Sequence, residues 1–275
     1  MSSSTASLYF IWGFLSYTLG MIQPSAKTAI DILSHLQDKT NPAILAYWVT
    51  PNTILTLSGA RAYCDGVFYY DDKKVLETWT KEMADSIQVL ESITEIYFAE
   101  AKIDKTNAKE DYAGYDVVMT QGLQYVLEQT TLLGPETHTL LTQNLRGEKL
   151  IDALRSLLKE KEQLKHFNKE NLNHIAFGIL VGYPDKAILG SVTEWEKDDP
   201  FAEPLIDADI RGSWYYICPK PVYSYPRHLV TDSKINTHEQ LWSSILKDYY
   251  TSDFHQILEK NLDFQKRVEV LGLNR

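Results

Sequence analysis

The sequence predicts an α+β fold in which helices predominate and pack around a small antiparallel sheet. Three observations carry this expectation. Leu76, Met83, Leu90 and Tyr97 recur every seven residues, joined by Trp79, Ile87 and Ile93, as one apolar stripe of helical period. The runs between Ile44 and Tyr70 are rich in aliphatic and aromatic residues and are broken by Pro51-Asn52 and Asp65-Gly66. From Asp116 onward, helix-type stretches recur between Gly134-Pro135, Gly147 and Gly182.

Taken in order, a helical pair is expected over Leu8 to Gln37, with Pro24 in the first turn of its second member and Asn41-Pro42 ending it. Leu8 to Ile22 is apolar and aromatic but shorter than the roughly 20 residues of a membrane span. The first basic residue is Lys27, which is unlike a leader peptide. A buried N-terminal helix is expected there, ahead of a partner-docking or membrane-contacting helix or a cleaved signal. Ile44 to Thr50, Thr53 to Ser58, Arg61 to Cys64 and Val67 to Tyr70 read as a meander with a hairpin turn at Asp65-Gly66. Asp71 or Asp72 can cap a long helix from Asp72 to Ile103.

Lys105 to Gly114 reads as a polar loop. One globular domain over residues 1–275 is expected, with any internal boundary at 104–115. Helices follow over Asp116 to Leu133, Pro135 to Asn144 and Glu148 to Phe167. Asn168 caps another, which should end at a left-handed Gly182, with Pro184 opening the next segment. Ser191 to Asp209 reads as an acidic loop. Trp214 to Pro226 reads as two edge strands around Pro219-Lys220-Pro221. Thr237 and Gln240 have capping-box spacing before one closing helix, and Phe254, Ile257, Leu258 and Leu262 mark the last.

With 44% apolar and 23% charged residues, the chain can bury a core that needs neither metal nor disulfide. The net charge of −10 argues against nucleic acid and anionic membrane, and favours another protein of basic character as partner. Lys149 to Lys169 interleaves acids with its lysines, as a solvated helix face does. Two cysteines without zinc-type spacing indicate a reducing compartment: the cytoplasm, or a host cell into which the chain is delivered.

The glycine spacings contain no dinucleotide-binding fingerprint, no P-loop and no G-x-S-x-G elbow. The histidine spacings contain no H-E-x-x-H and no H-x-D or H-x-E. No cofactor and no metal are therefore expected. Four features remain. Cys64, His174 and Asp185 occur in an order that permits a thiolate, an imidazole base and an orienting carboxylate. Gly178-x-x-x-Gly182 suits close helix packing, with His174 one turn earlier. Asp207 and Asp209 form a carboxylate pair, expected to be solvated rather than to hold a cation. Trp214, Tyr216, Tyr223 and Tyr225 can present an aromatic edge to a partner. The balance favours a protein-binding or regulatory protein. The alternative is a cysteine-dependent hydrolase or transferase that uses Cys64 with a distant histidine.

Overall fold

A computed structural model of the chain describes residues 23–69, 73–93, 97–104, 112–137, 140, 143, 145, 147–196, 205–207, 223–261 and 264–265. Helices predominate and pack on a three-stranded antiparallel sheet, with a second, two-stranded sheet nearby. The expected α+β class therefore holds, although several elements differ in kind. The Leu8 to Ile22 segment lies outside the described residues.

The N-terminal helices follow their caps. Ser25 Oγ accepts the Thr28 amide and opens α1, Ala26–Gln37, so Pro24 precedes the helix rather than sitting in its first turn. Asn41 caps α2, Pro42–Trp48, and Thr50 caps α3, Pro51–Leu57, each with proline in the first turn. These two helices replace the strands expected over 44–58. Their residues are almost all buried, so packing outweighs the β-preference of Ile44-Leu45-Ala46-Tyr47-Trp48-Val49.

Strand β1, Tyr63–Tyr69, runs straight through Asp65-Gly66, so the expected hairpin turn is absent. Instead it pairs antiparallel with β3, Tyr112–Met119, which places Asp65 opposite Asp116. Helix α4, Lys73–Ile93, buries Met83, Ile87 and Leu90 as its stripe predicts, with Trp79 packed against the same core. It ends at Ile93, well short of the expected Ile103, because Tyr97–Asp104 forms β2 on the other side of β3. The boundary expected at 104–115 thus falls within a β2–β3 hairpin, whose connecting residues 105–111 lie outside the described set.

The pleat of the sheet separates two cores. Cys64, Tyr115, Val117 and Met119 face the first, built largely from α1–α4 and the C-terminal helices. Tyr63 and Val118 face the second. That core is made by α5 (Thr120–Gln129), α6 (Gly147–Lys159), α7 (Lys169–Leu180) and α8 (Asp185–Glu196). Helix α5 starts at Thr120 rather than Asp116, because β3 claims the residues before it. Asn168 caps α7 as expected. Gly178 meets the Ile188 side chain of α8 rather than another backbone. The acidic segment is not wholly a loop, since α8 continues to Glu196 and Leu205–Asp207 forms β4.

Strand β4 pairs antiparallel with β5, Ser224–Pro226. The chain closes with α9, Ser233–Tyr250, and α10, Asp253–Glu259. Asp232 caps α9 through the Lys234 and Ile235 amides, so Thr237 and Gln240 lie inside the helix and make no capping box. Ser252 caps α10.

Candidate functional site

The residues between α3 and β1 run through the centre of the molecule. Ser58, Ala60, Arg61 and Ala62 are all buried. Their backbone groups are used: the Ala62 amide donates to Leu180 O at 2.8 Å, and Ala62 O accepts from the Met119 amide at 2.8 Å. Two glycines make room. A Cβ on Gly122 would lie 1.9 Å from Arg61 O. Gly182 has φ +77°, ends α7 as its position predicts, and would place a Cβ 2.8 Å from Ala60 O.

This segment buries a charge. Arg61 is 4% exposed, and its guanidinium donates to Asn52 Oδ1 of α3. It also lies 5.6 Å from the ring centre of Trp242 on α9. Burial works against its charged form, while Tyr183, Cys64 and Asp65 act the other way. No ion pair to Arg61 occurs among the described residues, and its Nε is buried without a hydrogen-bond partner there. Trp242 is wholly buried, and its Nε1 is likewise unpartnered.

Trp242 belongs to an aromatic cluster. His238 packs on it with centroids 4.4 Å apart, and Tyr183 and Tyr223 each lie at 6.1 Å. The Tyr223 hydroxyl and His238 Nδ1 share a hydrogen bond of 3.0 Å. Burial pushes the His238 imidazole down to about 3; the Gly182 backbone opposes this and the Arg61 charge reinforces it. His238 is therefore neutral at physiological pH.

Outside this cluster opens a cleft of about 370 Å³ between α5, the turn after α7, the start of α8 and α9. Gly182, Tyr183 and His238 form its aromatic wall; Tyr125, Val126 and Leu241 add apolar surface; Lys186, Lys234 and Thr237 lie on the α8 and α9 sides. Lys186 pairs with Asp232. A cleft of this volume, mostly apolar with a few converging polar groups, has the form of a small-molecule site. Trp242 thus packs against the wall residues Tyr183 and His238 and lies 5.6 Å from Arg61, which has no ion pair among the described residues.

The three candidate catalytic residues are not brought together. Cys64 is 1% exposed, and burial pushes its thiol up to about 11, against partial relief from Thr56, Arg61 and Thr53. The pleat turns it into the first core, away from solvent. His174 is exposed on α7. Asp185 does line the cleft, but its carboxylate accepts from Thr130 Oγ1 at 2.7 Å, the Thr131 amide at 2.6 Å and Thr131 Oγ1 at 2.8 Å. It holds the end of α5 to the start of α8.

The expected aromatic edge is also revised. Tyr223 and Tyr225 are each 3% exposed in the first core, and the Tyr225 hydroxyl donates to Glu239 Oε1 at 3.0 Å. Those two rings face inward because β5 lies against α8 and α9. Trp214 and Tyr216 lie outside the described residues. Asp207 is exposed and accepts from Ser224 Oγ at 2.8 Å, whereas Asp209 is not described.

Sequence reasoning missed Arg61, Trp242, His238 and Tyr183. A lone arginine beside alanines carries no motif, and only the tertiary fold shows that it is buried. Among the described residues no three His, Cys, Asp or Glu side chains gather as a metal site would require, and no helix is long and apolar enough to cross a membrane. No protein-family model, curated protein or solved structure matches the chain.

Proposed function

We propose that this chain is a non-catalytic, regulatory binding protein whose occupant enters the cleft between α5, α8 and α9. The observation that supports this most is the wall of Gly182, Tyr183 and His238, braced from behind by Trp242, opposite apolar Tyr125, Val126 and Leu241. Rigid aromatic surfaces recognise a flat apolar body at little entropic cost. The neutral, half-buried His238 and the bonded Asp185 carboxylate suit binding better than proton transfer. Partner recognition, expected from the sequence at Trp214 to Tyr225, moves in this reading to the cleft.

A fragment screen by ligand-observed NMR on the full chain tests the proposal, with Thr237→Trp as the control. Thr237 is exposed on the cleft side of α9, so an indole there fills the cleft with little effect on folding. Aromatic fragments should bind the natural chain and lose about tenfold or more in affinity to the filled variant. Fragments that bind both chains equally, or that bind neither, overturn the reading.

A further inference from the structure

We propose that the occupant of this cleft carries an oxyanion, a carboxylate or a phosphate ester, whose charge compensates Arg61. The inference rests on the binding reading above and adds the chemical class of the ligand. Arg61 is 4% exposed, and a buried cation is costly unless an anion stands close to it. Among the described residues its one hydrogen-bond acceptor is the neutral Asn52 amide oxygen. Arg61 Nε and Trp242 Nε1 are both buried donors without an acceptor there, and the guanidinium carbon lies 5.6 Å from the indole centre. Asp65 favours the charged guanidinium but is exposed and makes no ion pair with it; one oxyanion has lone pairs enough for both donors and would set a negative charge directly against Arg61.

The approach is short. Gly182 lines the cleft and lies directly against Ala60, the residue before Arg61: a Cβ on Gly182 would be 2.8 Å from Ala60 O and 3.6 Å from Trp242 Cζ2. The cleft and the cation are therefore separated by the thickness of Trp242, His238 and Tyr183. Neither Arg61 nor Trp242 lines the cleft, so the partly buried Tyr183 ring must move aside for an anion to reach their N–H groups. Lys234 and Lys186 at the α9 and α8 side of the cleft steer an anion inward, in a chain whose net charge of −10 otherwise repels it. A neutral water can satisfy a donor but leaves the charge uncompensated.

The experiment uses three probes on the full chain: benzoate, phenyl phosphate and the uncharged isostere benzamide. Binding is followed by NMR at the Trp242 indole N–H, the Arg61 Nε–H and the backbone amides of Gly182, Tyr183 and Thr237. At least one anion should bind about tenfold or more tighter than benzamide, as expected for a hydrogen bond to a charged group, and should shift both buried N–H signals. The better of benzoate and phenyl phosphate identifies the source of the oxyanion. Arg61→Met should reduce that preference to parity while the cleft amides still respond to benzamide. Equal binding of anion and amide, with the Arg61 and Trp242 signals unmoved, overturns the oxyanion while leaving the cleft reading intact. No response from any cleft amide to any probe sinks the cleft reading itself. Because the natural chain alone reports both N–H signals, the outcome stands even if Arg61→Met fails to fold.

Discussion

The two cores on either face of the sheet are built from different chemistry. The second, under α5 to α8, is mainly leucine and isoleucine: Leu123, Leu150, Leu154, Leu158, Ile175 and Ile179 interlock with few polar atoms among them. The first contains Trp48, Tyr115, Trp242, Tyr249 and Tyr250, and the polar tips of three of these rings are anchored. Trp48 Nε1 donates to Ser86 Oγ at 3.0 Å, Tyr115 OH to Tyr47 O at 3.1 Å and Tyr250 OH to Val49 O at 2.9 Å. Tyr47 and Val49 close α2, so two distant tyrosines satisfy carbonyls that a helix end leaves open. An aliphatic core is held by shape alone. The aromatic core is held by shape and by directed bonds, and it is the core that borders Arg61, which has no ion pair among the described residues.

That contrast sets the order of expected effects. Trp48→Ala should be the most damaging of these, about 3–5 kcal/mol by urea denaturation, since it removes one of the two largest fully buried side chains of the first core. Leu154→Ala in the second core and Leu90→Ala in the first should each cost about 2–5 kcal/mol. A Leu90→Ala loss below about half a kilocalorie would place that face of α4 outside the core.

Acid should act on the first core. His255 is 1% exposed among Tyr249, Tyr250 and the Glu259 carboxylate at 3.5 Å, and burial pushes its imidazole down to about 4. Above the unfolded value of about 6.5 the ring is neutral in both states and contributes no pH dependence. Between about 6.5 and 4 the unfolded chain takes up a proton that the folded chain refuses, so stability falls as pH falls. The loss by pH 4 is about 3 kcal/mol. His238 acts in the same direction. Urea midpoints measured from pH 7 to 4.5 should therefore drop more steeply in the natural chain than in His255→Phe, and parallel curves would remove His255 from this account.

Single hydroxyls sharpen the comparison further. Tyr250→Phe strands the buried Val49 carbonyl and should cost about 1–3 kcal/mol. Tyr63→Phe, on the second-core face, releases only the partly exposed Asp116 carboxylate and should cost less than about 1 kcal/mol. Equal losses would mean that directed bonds do not distinguish the cores. The smallest effect concerns Cys64, which should label with thiol reagents only as fast as the chain unfolds. Rapid labelling at pH 6 would restore the cysteine-enzyme alternative.

Helices with strong local signals were legible. The stripe through Met83, Ile87 and Leu90, the Asn168 cap and the Gly182 stop all stand where spacing and cap chemistry put them. The strands were not. Tyr97 continues the seven-residue spacing yet begins β2, because pairing with β3 decides its state. Asp65-Gly66 is a turn signal overridden by its register against Asp116 and Tyr115. The Asn41-Pro42 and Thr50-Pro51 pairs did carry a legible helix-start signal, which the β-rich composition after each of them masked.

By itself the sequence determined the class of fold, the amphipathic helices and the points where several begin and end, because caps, stripes and left-handed glycines act within a few residues. Tertiary structure alone decided which runs became strands, which face of β1 holds Cys64, and that Arg61 lies buried beside Trp242 at the back of a cleft. Those outcomes depend on pairing and burial between residues far apart in the chain: Arg61 acquires its environment from α3, α7 and α9 together, and no local pattern encodes it.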